Sequence, residues 1–287
     1  MKIVTDSAAD MPLEELKTLG ITQAPLFVQF PEGEVSSTDM TADAFYDRLE
    51  RMRPAIPTTA QPSSGIFATI YGQLSETDKQ ILSIHISSGL SGTLNAALAG
   101  SEQIGSQAEV TLWDTLTLSG GERFQVLAAA LATKAGWTLS AILDRLAEIR
   151  ARTETIFTLE TLEYLARGGR IGRVQALAGS LLHVKPVIRV DHADGKYSTV
   201  ARSRTIPRAL TAITDHLSAE YARTPLWVTI MHGRVADQAE ALAQQLSATL
   251  DIVRMETLRV SPVLGVHTGP GVVGAAMVPM ALMQDLL

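Results

Sequence analysis

Short apolar runs that alternate with helical periods constrain this chain more than any other feature. Met1–Thr5 stops at Asp6, and Gln80–Ile86 and Glu109–Trp113 are apolar runs of the same kind. Between them lie segments with spacings of three and four: Pro12–Leu19, Ala42–Met52, Ser64–Leu74 and Ser91–Ser101. A strand that is apolar without alternation is buried on both faces, and helices covering a parallel sheet meet that need. Local signals agree. Pro12 suits a first turn and Gly20 a helix stop, while Thr41 caps a helix whose apolar stripe is Phe45, Leu49 and Met52. Ile21–Phe30 reads as one strand, with Pro25 near a sheet edge. Pro57 and Pro62 exclude a helix across Pro54–Ser64. Glu122–Ala135 and Leu139–Ala151 are two further helices.

The texture changes after residue 152. Thr155–Leu159 is a strand and Thr161–Leu165 a short helix, and a helix to Leu182 follows the stretch Gly168–Arg173. Lys185–Val190 and Lys196–Ala201 flank Asp194-Gly195, a hairpin signal. Helices Pro207–Glu220 and Val235–Leu250 surround the strand Leu226–Met231, and strands Ile252–Leu258 and Val273–Met277 follow. A hairpin within this alternation requires a mixed sheet. The expected fold class is α/β in two domains. Residues 1–152 form a three-layer α/β/α domain with a mostly parallel sheet, and residues 153–287 a two-layer domain with a mixed sheet.

Composition removes several functions. The net charge is −6, a poor balance for neutralising the phosphates of nucleic acid. There is no cysteine, so disulfides, thiolate nucleophiles and cysteine-bound metals are excluded. The six histidines, at 85, 183, 192, 216, 232 and 267, lack metal-ligand spacing. No signal peptide opens the chain, and no run approaches the ~20 apolar residues that span a bilayer. A soluble, cytoplasmic protein with no metal and no cofactor is expected.

Clusters of small polar residues lie at strand ends, where open α/β sheets bind ligands. Thr5-Asp6-Ser7 reads either as an Asx turn or as a pocket wall in which Asp6 holds hydroxyls or backbone amides. Pro57–Ser63 is a proline-stiffened loop bearing Thr58, Thr59 and Gln61. Ser87-Ser88-Gly89-Leu90-Ser91-Gly92-Thr93 joins a buried strand to a helix, and its amides and hydroxyls suit a small anion such as a carboxylate. It has no Gly-Lys-Ser/Thr of a phosphate loop, and Thr93 breaks the Gly-x-Ser-x-Gly of a nucleophile elbow. Arg170 and Arg173, set by glycines, read as solvated charges or as a meeting point for phosphate or a partner's acids. His267-Thr268-Gly269-Pro270-Gly271 places an imidazole before a glycine turn. Gly269–Gly274 matches G-x-G-x-x-G, but no βαβ unit or ribose-binding acid follows it.

Taken in order, several of these motifs resemble the DegV family. They are Thr-Asp-Ser at 5–7, Thr-Ala-Gln-Pro-Ser at 59–63 and Ser-Ser-Gly-Leu-Ser-Gly-Thr at 87–93. Leu-Glu-Tyr-Leu-Ala-Arg-Gly-Gly-Arg-Ile at 162–171, Lys-Pro at 185–186 and His-Thr-Gly-Pro-Gly at 267–271 complete the set. The resemblance implies a long-chain fatty acid held in a tunnel between the two domains. It implies a protein without turnover of its own, presenting the carboxylate to a separate ATP-binding kinase A subunit that makes an acyl phosphate for phospholipid synthesis. Membrane contact is transient at most.

By the same resemblance the carboxylate ligands fall on Thr59, Ser91 and His267. Asp6, Ser7, Thr58, Gln61, Ser88, Gly92, Thr93, Thr268 and Gly269 support the headgroup region. Arg170 and Arg202 or Arg204 meet the partner or the phosphate. Ala60 stands where the family has serine, which alters one hydrogen bond near the headgroup. Burying a 16-carbon chain gains on the order of 12 kcal/mol gross, at ~0.8 per methylene, before ordering costs. The alternative is a serine hydrolase acting on an acyl ester, with Ser91 as nucleophile, His267 as base and Asp6 as orienter.

Overall fold

The structure, a computed structural model, describes residues 1–174 and 184–287. The chain opens with β1 (Lys2–Asp6), α1 (Leu13–Leu19), β2 (Ile21–Ala24), β3 (Phe27–Phe30) and β4 (Gly33–Ser36). It continues through α2 (Ala42–Arg51), β5 (Thr58–Ala60), α3 (Ser64–Ser75), β6 (Gln80–His85), α4 (Thr93–Ile104) and β7 (Glu109–Asp114). Helices α5 (Ser119–Lys134) and α6 (Leu139–Arg152) lead to β8 (Glu154–Thr158), α7 (Glu163–Arg167), β9 (Lys185–Val190) and β10 (Tyr197–Ser203). Then come α8 (Ile206–Tyr221), β11 (Leu226–His232), α9 (Ala236–Thr249), β12 (Ile252–Arg259), α10 (Pro262–Thr268) and β13 (Val273–Pro279). The helix expected to reach Leu182 lies outside the described residues.

The first sheet is four-stranded, in the order β2-β1-β6-β7, and every pairing is parallel. The second is six-stranded, in the order β10-β9-β8-β13-β11-β12, and mixed, with only β11 and β12 parallel. The α/β class with a parallel and a mixed sheet is therefore as expected. Helices α3 and α4 cover one face of the first sheet, and α8 and α9 cover the outer face of the second.

Helix α5 lies between the two sheets and packs on β1 and β6 as well as on β8, β11 and β13. That position explains its sequence. A helix flanked by sheets is buried on every side, and from Ser119 to Ala130 each residue of α5 is buried. The core around it is continuous from Ile3, Leu82 and Ile84 through Phe124 to Phe157, Ile188 and Trp227.

Two features depart from the expectations. Ile21–Phe30 is two strands in different sheets rather than one. Pro25 has no N–H for a ladder, Leu26 N donates to Ser7 Oγ at 2.9 Å, and Leu26 O accepts from Ser37 N at 2.9 Å. Those bonds draw the chain out of the first sheet and into a three-stranded antiparallel sheet, β4-β3-β5. Helix α10 was not expected either: Ser261-Pro262 and Gly269 suit a start and a stop, but all seven of its residues are buried, so it shows no polar face and no amphipathic period. Among the described residues, no helix is long and apolar enough to cross a membrane.

Candidate functional site

The small sheet and α10 together place two of the expected ligands. Thr59 on β5 pairs with Val28 on β3. Strand alternation turns Thr58 outward, where it is exposed and reaches Gln29 Oε1 at 3.4 Å, and turns Thr59 inward. His267 occupies the last turn of α10. Its Nε2 shares a 2.8 Å hydrogen bond with Thr59 Oγ1 across 208 positions of sequence.

The imidazole is buried, and its pKa falls from 6.5 to about 4. Burial is the main cause and the Arg170 charge adds to it. The ring is thus neutral at pH 7 and carries one N–H. Its Nδ1 is buried and has no hydrogen-bond partner among the described residues.

Ser91 precedes α4. Its hydroxyl shares a 2.8 Å bond with Thr93 Oγ1 and accepts from Thr93 N at 3.3 Å, an ST turn that leads into the helix, whose N-cap is Gly92. The Gln61 side-chain amide lies over Gly92, joining the Pro57–Ser63 loop to this turn. Arg170 Nη1 donates to Gly168 O at 2.8 Å, and Nε reaches Leu90 O at 3.4 Å.

Thr59, Ser91, Arg170 and His267 line one mouth, and the rest of that cavity is apolar: Leu26, Ile86, Leu90, Leu118, Tyr197, Val263 and Leu264. The cavity shares Leu118, Tyr197 and Leu264 with a deeper one. Phe157, Met231, Val260, Val272 and Gly274 line the deeper one. The apolar lining was not singled out from sequence. A leucine that faces a channel reads the same as one that faces a neighbour.

The remaining expected residues divide by position. Asp6 does not line the cavity. It is fully buried, and its carboxylate accepts from Ala8 N (2.9 Å) and Ile86 N (3.0 Å) and bonds His85 Nδ1 (3.0 Å). It therefore holds backbone amides, as one sequence reading supposed, and fixes Ile86 of the cavity wall from behind. Ser7 is tied to Ser37 and Leu26 and lines a separate crevice. Ser88 is exposed and turned away to Asp114, which its hydroxyl meets at 2.5 Å. Thr93 is buried against Ser91. Thr268 lines the deeper cavity, and its hydroxyl donates to Leu264 O at 3.0 Å. Gly269 sits against the Tyr164 ring.

The arginines separate in the same way. Arg170, expected to meet the partner or the phosphate, lines the cavity. Arg202 and Arg204 are exposed at the end of β10. Arg173 meets this chain's own acids, with Asp194 at 2.7 Å and Asp191 at 3.7 Å. Those acids belong to the β9–β10 hairpin, whose tip docks on the β6–α4 loop through Ser87 Oγ donating to Gly195 O at 2.9 Å.

The hydrolase arrangement is not assembled. The Ser91 hydroxyl bonds Thr93 rather than His267, and Asp6 orients His85 rather than His267.

Comparison with known proteins agrees with this picture. A family model described as an uncharacterised protein of the DegV family matches residues 1–280. A DegV domain-containing protein of Deinococcus radiodurans is 39% identical over 281 residues, covering 97% of this chain and 96% of its own. Among solved structures, a DegV family protein of Thermus thermophilus, described for its fatty acid binding, is 31% identical with a TM-score of 0.90, covering 97% of this chain and 99% of that one. DegV of Bacillus subtilis, described as a fatty acid binding protein, is 28% identical with a TM-score of 0.88, covering 96% and 98%.

Proposed function

The chain belongs to the DegV family, and on that premise we propose that it binds a long-chain fatty acid with the carboxylate at the Thr59–Ser91–His267 mouth. One observation carries the reading: two hydroxyls, a neutral imidazole and a guanidinium line one otherwise largely apolar cavity. A buried carboxylate needs hydrogen bonds, and these groups supply donors without a second buried charge. The apolar lining takes the methylenes, each worth ~0.8 kcal/mol when removed from water.

We take residues 1–152 and 153–287 as two domains with the ligand between them. Leu26, Thr59, Ile86, Leu90, Ser91 and Leu118 come from the first, and Arg170, Tyr197, Val263, Leu264 and His267 from the second. In this reading the protein is a cytoplasmic carrier without turnover of its own. A separate ATP-binding subunit phosphorylates the presented carboxylate, and Arg202 and Arg204 contact that partner.

Organic extraction of the purified protein, followed by mass spectrometry, tests the first part. A fatty acid in near-stoichiometric amount is expected, and in Ser91→Ala it should be retained but more readily exchanged. Extraction of some other lipid class, or of none together with no uptake of added fatty acid, overturns the reading. Acyl phosphate formation from ATP by the isolated chain would overturn the partner assignment alone.

A further inference from the structure

The deeper cavity and a surface crevice share one short segment of chain. At the end of β12, Val260 lines the cavity, whereas its neighbours Arg259 and Ser261 line the crevice. Ser119, the first residue of α5, also lines the cavity, and its hydroxyl donates to Asp10 Oδ2 at 2.5 Å. Asp10 lines the crevice, and its Oδ1 accepts from Ser261 N at 3.0 Å. One carboxylate therefore ties the start of α5 to the start of α10, with Val260 beside the tie on the cavity side.

Asp10 and Ser119 both have φ of 51°, a left-handed conformation that surrounding contacts must maintain in residues bearing a Cβ. The crevice is partly apolar, lined also by Met11, Leu13 and Leu16.

We propose that Asp10 is a specificity-determining residue for the acyl chain: by fastening Ser119 to Ser261 it closes the far end of the channel and sets the longest chain accepted. The proposal rests on the fatty acid reading of the mouth. A chain longer than the closed channel leaves its last carbons unburied or its carboxylate displaced. With the tie released, those carbons cross into the apolar part of the crevice. Each methylene so buried raises affinity roughly fourfold, so two of them raise it by roughly tenfold or more.

The test measures competition by a saturated series from myristate to lignocerate on delipidated protein. The readout is the ratio of behenate to palmitate affinity. Asp10→Ala removes both bonds and should raise the ratio roughly tenfold or more. Asp10→Asn should keep the wild-type ratio, because its carbonyl accepts from Ser261 N and its amide donates to Ser119 Oγ. Ser119→Ala breaks the same tie from the other side, should raise the ratio likewise, and decides the question if Asp10→Ala does not fold. An unchanged ratio in a folded tie-breaking variant overturns the proposal, as does Asp10→Asn behaving like Asp10→Ala. A wild type that binds palmitate with those results leaves the fatty acid reading standing. A wild type that binds no member of the series overturns both.

Discussion

A single methyl group at residue 168 tests whether the His267 imidazole has to stay where it is. Gly168 follows α7 with φ −74° and ψ −6°, values any residue adopts. Alanine there meets no backbone strain. Its Cβ, however, would overlap His267 Nδ1 and stand 3.0 Å from Cε1 and from Tyr164 O. Tyr164 O cannot retreat freely, because it accepts the Gly168 N–H at 2.9 Å and its ring is buried. The imidazole must move, and with it the 2.8 Å bond to Thr59. Overpacking costs about 1–3 kcal/mol and the lost hydrogen bond about 0.5–1.5. Gly169→Ala is the matched control. Nothing lies within 4 Å of its Cβ, but its φ is +71°, and alanine in that region costs roughly 1–2 kcal/mol. Urea midpoints and palmitate affinity of delipidated protein are measured for both variants. Both should be destabilised, whereas affinity should fall by about tenfold or more only in Gly168→Ala, matching ~1.4 kcal/mol or more of lost headgroup contact. Wild-type affinity in Gly168→Ala, or equal losses in the two variants, would refute the placement of His267 at the headgroup.

Three further outcomes are expected. The neutral His267 ring contributes stability that is complete above its unfolded pKa of 6.5 and lost as pH falls through about 4, on the order of 3 kcal/mol in all. Asp10, raised to about 6, acts in the opposite sense but is common to both proteins, so the stability gap between wild type and His267→Gln should narrow from pH 7 to pH 4; a constant gap in urea titrations contradicts this. Arg170→Ala should weaken palmitate binding several-fold, less than a buried charged contact because the side chain is exposed, while Arg204→Ala should spare binding and lower acyl phosphate yield with the partner. Arg123, 1% exposed, donates to Glu15 Oε2 at 2.8 Å and to Glu256 Oε1 at 2.5 Å; Arg123→Ala should cost about 3–5 kcal/mol in chemical denaturation, and a loss under about 1 kcal/mol would mean the pairs are not formed in solution.

Local chemistry made much of this protein legible. Apolar runs at β1 and β6 reported burial, whereas β7, read from the same kind of run, is an edge strand whose residues are at most half-buried; Thr41, Gly20 and Asp194-Gly195 marked a cap, a stop and a hairpin turn where they occur. Each signal depends on residues close together in the chain. Thr59, Ser91 and His267 were legible as candidates because small polar residues at strand and helix ends have few structural uses together.

What those residues touch was decided elsewhere. The Thr59–His267 bond needs β3 to leave the first sheet and pair with β5, and α10 to form, and hydrophobic periodicity reports neither event. β3 was hidden by an apolar run continuous with β2, and α10 by burial on all sides. Likewise Asp6 looked like a site residue, but the fold spends its carboxylate on His85 and two amides. Arg170 was read as a contact for the partner or the phosphate, and the fold sets it in the cavity lining beside Ser91 and His267. Sequence alone determined the two kinds of sheet and the polar residues available to a headgroup, because propensity and periodicity act over a few residues. Only the tertiary structure decided which of them converge and where the channel ends, because Ser119, Asp10 and Ser261 meet through packing of α5 and α10 that no short segment encodes.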